Sequence, residues 1–360
     1  MDFSSFDRLY LRPTAFVDTP ISMDGNAVRL AGGLLWFSGY EVIAVHQGKR
    51  VLQRTYPVTE LPADDRLQLL ATRIAAPRPA LNLGERTLRF DQPQVMAILN
   101  ITPDSFSDGG RHAGDPAAAA ETGVEMAAQG AALIDIGGES TRPGAATVWE
   151  GDEIARVVPV IERLARSGTL VSVDTRKAAV MEAALAAGAH IVNDVSALLW
   201  DDRALQVVAD AGCPVVLMHA GDPKQGADGG RGHADPLIEV YDWLEARIDA
   251  VVAAGVDRGR IIADPGIGFG KSLSDNLALL NGLALFHGLG VPLLLGASRK
   301  RMIGALSNEA PADRRLGGSV ALALKGADLG AQLLRVHDVP ETVQALHVWR
   351  GMRDAALVGR

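Results

Sequence analysis

The stretch VMAILNITPDSFSDGG, residues 95–110, joins a run of apolar residues to a polar loop. The run ends at Asn100, and the loop that follows is rich in Asp, Ser, Pro and Gly. Continuous apolarity is typical of a strand that is buried on both faces, as in a parallel sheet. The stretch therefore predicts a buried strand with a polar side chain at its carboxyl end.

The same arrangement recurs along the rest of the chain. Successive apolar runs lie about 30 residues apart, as repeating βα units require, and the stretches between them read as amphipathic helices. The runs are VMAILN, ALIDI, LVSVD, HIVND, PVVLMH, RIIAD, PLLLGAS and LLRVHD. Eight such units predict an α/β fold of the (βα)8 TIM barrel type. A doubly wound open sheet is the alternative.

Two helix boundaries can be read in more detail. Asp115 and Pro116 form an N-cap and first-turn pair before an Ala-rich helix. Residues 175–187 predict another helix, which Gly188 ends. In the helix that contains residues 154–164, Pro159 predicts a kink or a break.

The first 80 residues lack the βα rhythm and predict a small α+β segment. They contain the strand-like run GLLWFSGYEVIAV and one amphipathic helix with Leu67, Leu70 and Ile74 on its apolar face. APRPA (76–80) reads as a linker, and LNLGERTLRF (81–90) predicts a hairpin that closes the floor of the barrel. We therefore divide the chain into an N-terminal extension of unknown role, residues 1–80, and a barrel, residues 81–360.

Composition limits the classes of partner and compartment. The chain has 360 residues and a formal net charge of −8, which argues against general binding to nucleic acid or anionic membranes. Its one cysteine, Cys213, adjoins an apolar run and predicts a packed thiol in a reducing compartment. Neither a secretory signal nor an apolar run of about 20 residues is visible. We expect a soluble protein of the cytoplasm.

Polar residues end nearly every apolar run, and in a barrel these ends meet at one face. They are Asn100, Asp135, Asp174, Asn193, His219, Asp264, Ser298 with Arg299 and Lys300, and Arg335 with His337. For any single residue the alternative is a strand-terminating cap or a local Asx turn. Their recurrence on almost all eight strands favours an active site at the carboxyl face.

The ring of polar residues divides by chemistry. Asp174, Asn193 and Asp264 suit the N–H donors and carbonyl of a flat heterocycle, because a buried polar edge must be fully matched. A cationic set suits phosphate or pyrophosphate. It consists of Arg142, Lys300, Arg335 and His337.

Asn100 would suit Mg²⁺ shared with such an anion, and no sequence pattern suggests zinc. GIGFGKS (266–272) looks like a phosphate loop, but the loop motif needs glycine where Pro265 stands. A true ATP-binding P-loop is therefore not predicted.

Seven motifs in order resemble those of the dihydropteroate synthases. They are NITPDSFSDGG, DIGGESTRPGA (135–145), SVDTRK (172–177), IVNDVSAL (191–198), DPGIGFGK (264–271), SRKRMIG (298–304) and RVHDV (335–339). The resemblance covers the chain from about Leu81 to the C-terminal helix. It implies a transferase of folate biosynthesis that joins 6-hydroxymethyl-7,8-dihydropterin pyrophosphate to 4-aminobenzoate, with release of pyrophosphate. It further implies Mg²⁺, a homodimer and inhibition by sulfonamides.

The resemblance also implies roles for residues at the matching positions. Asp174, Asn193, Asp264 and Lys300 would hold the pterin, which Asp135 borders. Asn100, Arg335 and His337 would bind pyrophosphate and Mg²⁺, and Arg142 lies in a loop that closes on this region. Thr141, Pro143, Phe106 and Phe269 would shape the aminobenzoate site, and Asp104 lies in a loop that would close over a developing carbocation.

Two positions depart from the family pattern. Arg301 follows Lys300 where many relatives carry a small residue that touches the aminobenzoate carboxylate, so we hypothesise that Arg301 changes sulfonamide affinity. The loop after the fifth strand is shortened near Ala220, which puts a pterin-packing contact there in doubt.

Two other functions compete with the synthase. A methyltetrahydrofolate-binding domain of a corrinoid methyltransferase uses a similar barrel, but it would not need the Thr141–Arg142–Pro143 loop or the RVHD cations. A non-catalytic pterin-binding paralogue would bind pterin without turnover, and the long N-terminal segment keeps this alternative open.

Overall fold

Residues 8–57 form an antiparallel sheet in the computed structural model, which describes residues 3–102, 115–140, 147–220 and 233–358. The strands are β1 (Arg8–Val17), β2 (Val28–Arg29), β3 (Trp36–His46) and β4 (Lys49–Pro57). Strand β3 is central and pairs with the other three. Gln47 and Gly48 both have positive φ, as the tight turn between β3 and β4 requires.

A short helix follows this sheet and completes the extension. A 3₁₀ turn (Val58–Glu60) leads to helix α1 (Asp65–Ala75), which Asp64 caps through the backbone N–H of Arg66. Leu67, Leu70 and Ile74 are buried, which confirms the predicted apolar face.

A small hairpin closes one end of the barrel, as predicted. Strands β5 (Leu81–Leu83) and β6 (Arg86–Leu88) pair in antiparallel fashion. Their apolar side chains form a separate buried cluster with one residue from near the start of each barrel strand. The cluster contains Leu81, Leu83, Leu88, Phe90, Met96, Leu133, Leu170, Ile191, Val216, Ile262, Leu294 and Leu333.

Eight parallel strands form the barrel. They are β7 (Gln94–Asn100), β8 (Leu133–Gly137), β9 (Val171–Asp174), β10 (Ile191–Asp194), β11 (Val215–Met218), β12 (Ile261–Asp264), β13 (Leu294–Leu295) and β14 (Leu333–Val336). Their hydrogen-bonded order is β12-β11-β10-β9-β8-β7-β14-β13, and a bridge between Ala263 and Leu293 joins its two ends. All eight predicted apolar runs are strands, and the barrel is the predicted fold.

Helices surround the barrel and connect its strands. They are α2 (Pro116–Ala128), α3 (Glu150–Arg166), α4 (Ala178–Ala186), α5 (Ala204–Ala211), α6 (Pro236–Ala253), α7 (Leu273–Asn281), α8 (Arg301–Leu306), α9 (Leu316–Asp328) and α10 (Val339–Val358). Three 3₁₀ segments add to them: Arg258–Arg260, Leu283–Leu289 and Ala312–Arg314. Among the described residues, no helix is both long enough and apolar enough to cross a membrane.

Two helices differ in detail from the sequence-based expectation. Helix α4 begins at Ala178 rather than at residue 175. The hydroxyl of Thr175 accepts the backbone N–H of Lys177, and the Lys177 ammonium is drawn into a buried ion pair, so these residues are held outside the helix. Helix α3 runs without a break through Pro159, because its buried face holds the helix against the barrel.

The extension packs directly on the outside of the barrel. Tyr10 is 1% exposed, contacts the ring of Tyr241 edge-on and donates its hydroxyl to Asp242 on α6 at 2.8 Å. Arg8 pairs with Glu245 on the same helix, and Arg50 pairs with Asp235, the N-cap of α6. One continuous apolar core contains residues of both the extension and the barrel.

The predicted linker is also part of this contact. Arg78 is 7% exposed and donates to three backbone carbonyls, those of Arg73, Ala76 and His287. Residues 76–80 therefore form a fixed connection in which a buried cation joins the end of α1 to the barrel.

Candidate active site

The polar strand ends meet at the carboxyl face of the barrel, and four of them form one hydrogen-bonded cluster. Arg335 on β14 donates from Nε to Asp135 Oδ2 and from Nη2 to Asp174 Oδ2, both at 2.6 Å. Asn193 on β10 donates from Nδ2 to Asp135 Oδ2 at 3.0 Å. We call Asp135, Asp174, Asn193 and Arg335 the central cluster.

The central cluster retains capacity for a ligand. Asp135 is fully buried, and its Oδ1 and the Oδ1 of Asp174 have no hydrogen-bond partner among the described residues. Buried carboxylate oxygens are strong acceptors that are costly to leave unmatched. The cluster is therefore suited to receive N–H donors from a bound molecule.

Burial also changes the acidity of the central cluster. Removal from water raises the pKa of Asp174 above its usual range, and the neighbouring Asp135 charge acts in the same direction, whereas Arg335 opposes the rise. A carboxyl group with a raised pKa lies within reach of protonation near neutral pH. Such a group can either accept or donate a hydrogen bond to a heterocycle.

Asp264 lies on the opposite side of a gap that a glycine keeps open. Its Oδ1 accepts the backbone N–H of Gly266 at 2.7 Å, and burial raises its pKa to about 6. A Cβ placed on Gly296 would lie 3.8 Å from Asp264 Oδ2 and 3.9 Å from Arg335 Cδ. Glycine at this position therefore leaves the space between Asp264 and the central cluster without a side chain.

The loop after β12 presents an aromatic ring to Lys300. The Lys300 Nζ lies 3.9 Å from the centroid of the Phe269 ring, which is a cation–π contact. Gly268 faces the stem of the same lysine, because a Cβ there would lie 3.1 Å from Lys300 Cδ. Phe269 and Lys300 thus form one wall of the site, beside Asp264.

The last two strand-end loops are joined to each other. The backbone N and the ring Nδ1 of His337 lie 3.2 and 3.1 Å from the hydroxyl oxygen of Ser298. Arg299 forms an ion pair with Asp338 through two nitrogens. Lys300 and His337 are therefore held in register at the same rim of the barrel.

Asn100 lies at the end of β7 beside Gly137. A Cβ placed on Gly137 would lie 3.2 Å from Asn100 Oδ1 and 3.8 Å from Asp174 Oδ2. Within the described ranges, no group of three or more His, Cys, Asp or Glu side chains could hold a metal ion. An amide oxygen next to a carboxylate fits a cation that takes most of its remaining ligands from a phosphate group and water.

Five predicted residues cannot be placed in this geometry. Asp104, Phe106, Thr141, Arg142 and Pro143 lie outside the described residues. Their assignments remain predictions.

Three features of the site were not assigned a role from the sequence. Lys271 donates to three backbone carbonyls next to Asp264. Its only sequence signal is its place in the quoted motif DPGIGFGK. Lys177 is buried between Glu139 and Glu153, behind the ends of β8 and β9. Its sequence signal is that Glu139 and Lys177 both lie in quoted motifs.

The third feature is His219, which the sequence analysis placed among the polar strand-end residues without assigning it a function. Burial lowers the pKa of His219 to about 3, so its imidazole is neutral. Its edge-on neighbour is Trp243 on α6, with the ring centroids 4.9 Å apart.

The fold and this site define a (βα)8 barrel with a polar binding site for a small heterocycle and an anion at its carboxyl face. The family model of the pterin binding enzymes matches residues 96–337, which include all the site residues described above.

Individual relatives share this region. The dihydropteroate synthase of Escherichia coli K12 is 46% identical over 264 residues, which cover 73% of this chain and 92% of that protein. The Bacillus subtilis dihydropteroate synthase is 44% identical over 278 residues, or 77% of this chain and 91% of that protein. A solved structure of the Xanthomonas albilineans dihydropteroate synthase with 4-aminobenzoic acid is 49% identical, with a TM-score of 0.71 over 77% of this chain and 98% of that one.

The chain belongs to the pterin binding enzyme family and, within it, to the dihydropteroate synthases. The motif resemblance drawn from the sequence is confirmed.

Proposed function

We propose that this protein condenses 6-hydroxymethyl-7,8-dihydropterin pyrophosphate with 4-aminobenzoate to give 7,8-dihydropteroate and pyrophosphate. The observation that carries the proposal is the central cluster, where unmatched buried carboxylate oxygens adjoin a fixed guanidinium. Support comes from the relatives, since a Xanthomonas albilineans dihydropteroate synthase has been solved with 7,8-dihydropteroate at 48% identity and a TM-score of 0.68.

The pterin ring is held by the carboxylates and the amide. Asp174 and Asp135 accept its N–H groups through the oxygens that lack partners within the described chain, while Asn193 donates and accepts beside them. Asp264 serves the other edge of the ring across the space that Gly296 leaves open. Phe269 and Lys300 close the wall.

The leaving group is bound by cations at the end of β14, the last strand of the barrel. When the bond between the pterin methylene and the pyrophosphate oxygen breaks, the electron pair leaves with that oxygen. Arg335 uses two of its five N–H donors on Asp135 and Asp174, so three remain to bind an anion. Its two carboxylate partners hold the guanidinium in place before the reaction, which is the preorganisation that stabilises developing charge. His337 adds to this anion site.

The second substrate completes the exchange without a strong base. The 4-aminobenzoate nitrogen attacks the methylene carbon with its lone pair and then loses one proton to water. An aniline nitrogen is neutral near pH 7 and needs no prior deprotonation. The absence of a Ser/His or Cys/His nucleophile pair from the proposed set is consistent with this chemistry.

We include Mg²⁺ as the cofactor, with Asn100 as its protein ligand. The Asn100 amide oxygen beside Gly137 and Asp174 fits an ion that is completed by pyrophosphate oxygens and water. When bound, Mg²⁺ would neutralise part of the pyrophosphate charge.

The test is product formation with binding measured in parallel. Purified protein is mixed with Mg²⁺, the dihydropterin pyrophosphate and 4-aminobenzoate, and pyrophosphate release and the mass of dihydropteroate are followed. The proposal predicts both products in equal amounts. A folded protein that binds the pterin but forms no dihydropteroate would instead be the non-catalytic paralogue, and methyl transfer from methyltetrahydrofolate would indicate the methyltransferase domain.

Sulfonamide response is proposed to depend on Arg301. This exposed arginine begins α8, directly after Lys300. A cation at this position interacts more strongly with the compact carboxylate of 4-aminobenzoate than with the delocalised charge of a sulfonamide. Arg301→Ser should therefore lower the ratio of the sulfamethoxazole inhibition constant to the KM for 4-aminobenzoate by about threefold or more. Arg314→Ser, a surface arginine in a nearby 3₁₀ turn, is the control. An equal ratio in parent and Arg301→Ser would remove the idea.

A homodimer is proposed as the assembly. Helix α10 exposes Val348 and Met352, at 60% and 64%, one turn apart. Exposed apolar side chains that adjoin one another can form part of a surface that a partner covers. Light scattering after size exclusion should give twice the chain mass, and a monomer at micromolar concentration would contradict the proposal.

A further inference from the structure

The loop between β12 and α7 is folded tightly against the end of β11. Gly266, Gly268 and Gly270 all have positive φ, between 58° and 82°. A Cβ on Gly266 would overlap the carbonyl oxygen of His219, so only glycine allows the two backbones to approach this closely. The close approach needs a donor that compensates the crowded carbonyl groups.

Lys271 supplies that donor. Its Nζ lies 2.9 Å from the carbonyl oxygens of His219 and Gly266 and 3.0 Å from that of Phe269. The three N–H groups of one ammonium are thereby matched to three carbonyls on two neighbouring strand-end loops. Without this cation the three oxygens would converge on a space with no positive charge.

The same loop carries two groups that the proposed function uses. The Gly266 N–H is donated to Asp264, and the Phe269 ring lies beneath the Lys300 ammonium. Both groups lie within a few residues of carbonyls that Lys271 binds. A change in this ammonium therefore shifts Asp264, Phe269 and Lys300 together.

A second anchor holds only the other side of the loop. Asn276 on α7 accepts the Gly268 N–H at 2.6 Å and donates to the carbonyl of Ser272 at 2.7 Å. This anchor secures the loop to its own helix but not to β11. Besides the backbone hydrogen bond from the His219 N–H to the Asp264 carbonyl, the side chain of Lys271 connects the loop to His219.

The charge environment of Lys271 is unusual for a lysine. No carboxylate forms an ion pair with it among the described residues, although Asp264 on β12 and Asp275 on α7 lie nearby. Burial lowers its pKa to about 7, Lys300 acts in the same direction, and the two carboxylates oppose the shift. His219, directly after β11, also faces the ammonium. Burying a cation without a paired carboxylate costs free energy even when backbone carbonyls bind it, so stability alone does not explain a lysine at this position.

We infer that Lys271 is a positioning residue for pterin binding, because its three carbonyl contacts fix the loop that presents Asp264 and Phe269. It acts through these groups and touches no reacting atom. This inference rests on the proposed function for the identity of the ligand. It extends the site to a residue outside the predicted binding set.

The test compares two variants that remove buried cations of the same kind. Lys271→Met keeps most of the length of the side chain and removes its donors. Arg78→Met is the matched control, since Arg78 also donates to three backbone carbonyls but lies between the extension and the barrel. The Kd for 6-hydroxymethyl-7,8-dihydropterin pyrophosphate is measured by calorimetry, with thermal unfolding in parallel.

Lys271→Met should raise this Kd about tenfold, the scale of lost charged hydrogen bonds, and should raise KM more than it lowers kcat. Arg78→Met should lower the unfolding temperature and leave the Kd as in the parent. An unchanged Kd in a folded Lys271→Met variant would overturn the inference. If that variant does not fold, Lys271→Gln is measured instead. A Kd raised threefold or more, about the scale of one neutral hydrogen bond, supports the role, and an unchanged Kd removes it.

Failure of the proposed function has a different signature. If the parent binds the pterin but forms no dihydropteroate, the synthase activity is wrong, while the comparison of Kd values still tests Lys271. If the parent turns over and the variant binds equally well, only the inference about Lys271 fails.

Discussion

Asp135 and Asp174 each keep one buried carboxylate oxygen without a partner in the described part of the chain. An unmatched buried acceptor costs about 1–3 kcal/mol, which a fold tolerates where a ligand supplies the missing donor. Arg335 reduces the cost by binding the other oxygen of each carboxylate. The cluster is thus less stable empty than filled, as expected for a binding site.

The raised pKa of Asp264 makes stability depend on pH. Its pKa rises from 3.8 to about 6, so the folded protein holds the proton more tightly than the unfolded chain. The contribution of this group to stability therefore increases as the pH falls through about 6. Between about pH 8 and pH 5 it should add ~1 kcal/mol to the free energy of unfolding, and Asp264→Asn should lack this gain.

Denaturant unfolding at the two pH values measures this difference. Asp257→Asn is the control, because Asp257 makes the same bond to a backbone N–H two residues on, that of Gly259, but at the surface. If parent and Asp264→Asn gain the same stability on acidification, the buried carboxyl is not the source.

At the residue scale the sequence predicted which side chains meet but not how they pair. Asn100, Asp174, Asn193 and Arg335 follow from the rule that barrel strands end at one face. The bonds of Arg335 to Asp135 and Asp174 span 200 and 161 residues and depend on the curvature of the closed barrel. The sequence analysis assigned no role to Lys271 because its partners are backbone carbonyls, which no side-chain pattern reveals.

At the scale of elements, a change in the β5–β6 hairpin should lower stability and leave activity unchanged. Leu88 is 2% exposed in the floor cluster, at the amino end of the strands and opposite the site. Leu88→Ala should lower the free energy of unfolding by about 2–5 kcal/mol through loss of apolar contact and the cavity left behind. The KM values should stay as in the parent, because the carboxyl face is not disturbed.

Chemical unfolding and steady-state kinetics of the same preparation test this prediction. Leu69→Ala, a 53% exposed leucine on α1, should change neither quantity. A raised KM in Leu88→Ala would show that the floor and the carboxyl face are coupled, contrary to this account.

The elements themselves were largely predictable, and their ends were not. The eight strands can be predicted from the sequence because each is a short apolar run that ends in a polar residue. Helix α4 begins at Ala178 rather than at the predicted residue 175, because Lys177 pairs with Glu139 and Glu153, which are distant in sequence. Pro159 did not break α3, because the apolar face around Val157 and Ile161 is fully buried against the barrel.

In the whole molecule, the extension and the barrel share one apolar core, so we expect them to unfold together. Tyr10 lies at their junction, 1% exposed against Tyr241. Tyr10→Ala should lower the free energy of unfolding by about 3–5 kcal/mol, the usual range for a buried aromatic residue. This loss of stability should affect the barrel strands as well as the extension.

Amide hydrogen exchange measures the stability of the extension and of the barrel separately. Protection of β11 and β12 should fall by the same free energy as protection of β1 and β3 in Tyr10→Ala. Barrel protection that stays at the parent level would mean that residues 1–80 unfold independently.

The claim that one polar face of the barrel performs the condensation is tested most directly by the rate of 7,8-dihydropteroate formation in the parent, Arg335→Ala and Arg12→Ala. Arg12 lies in the extension, paired with Glu41, and serves as the control. The account predicts turnover in the parent and in Arg12→Ala, and a loss of about a hundredfold or more in kcat/KM for Arg335→Ala, the scale of one removed charge-stabilising group. Turnover by Arg335→Ala at the parent rate would contradict the account.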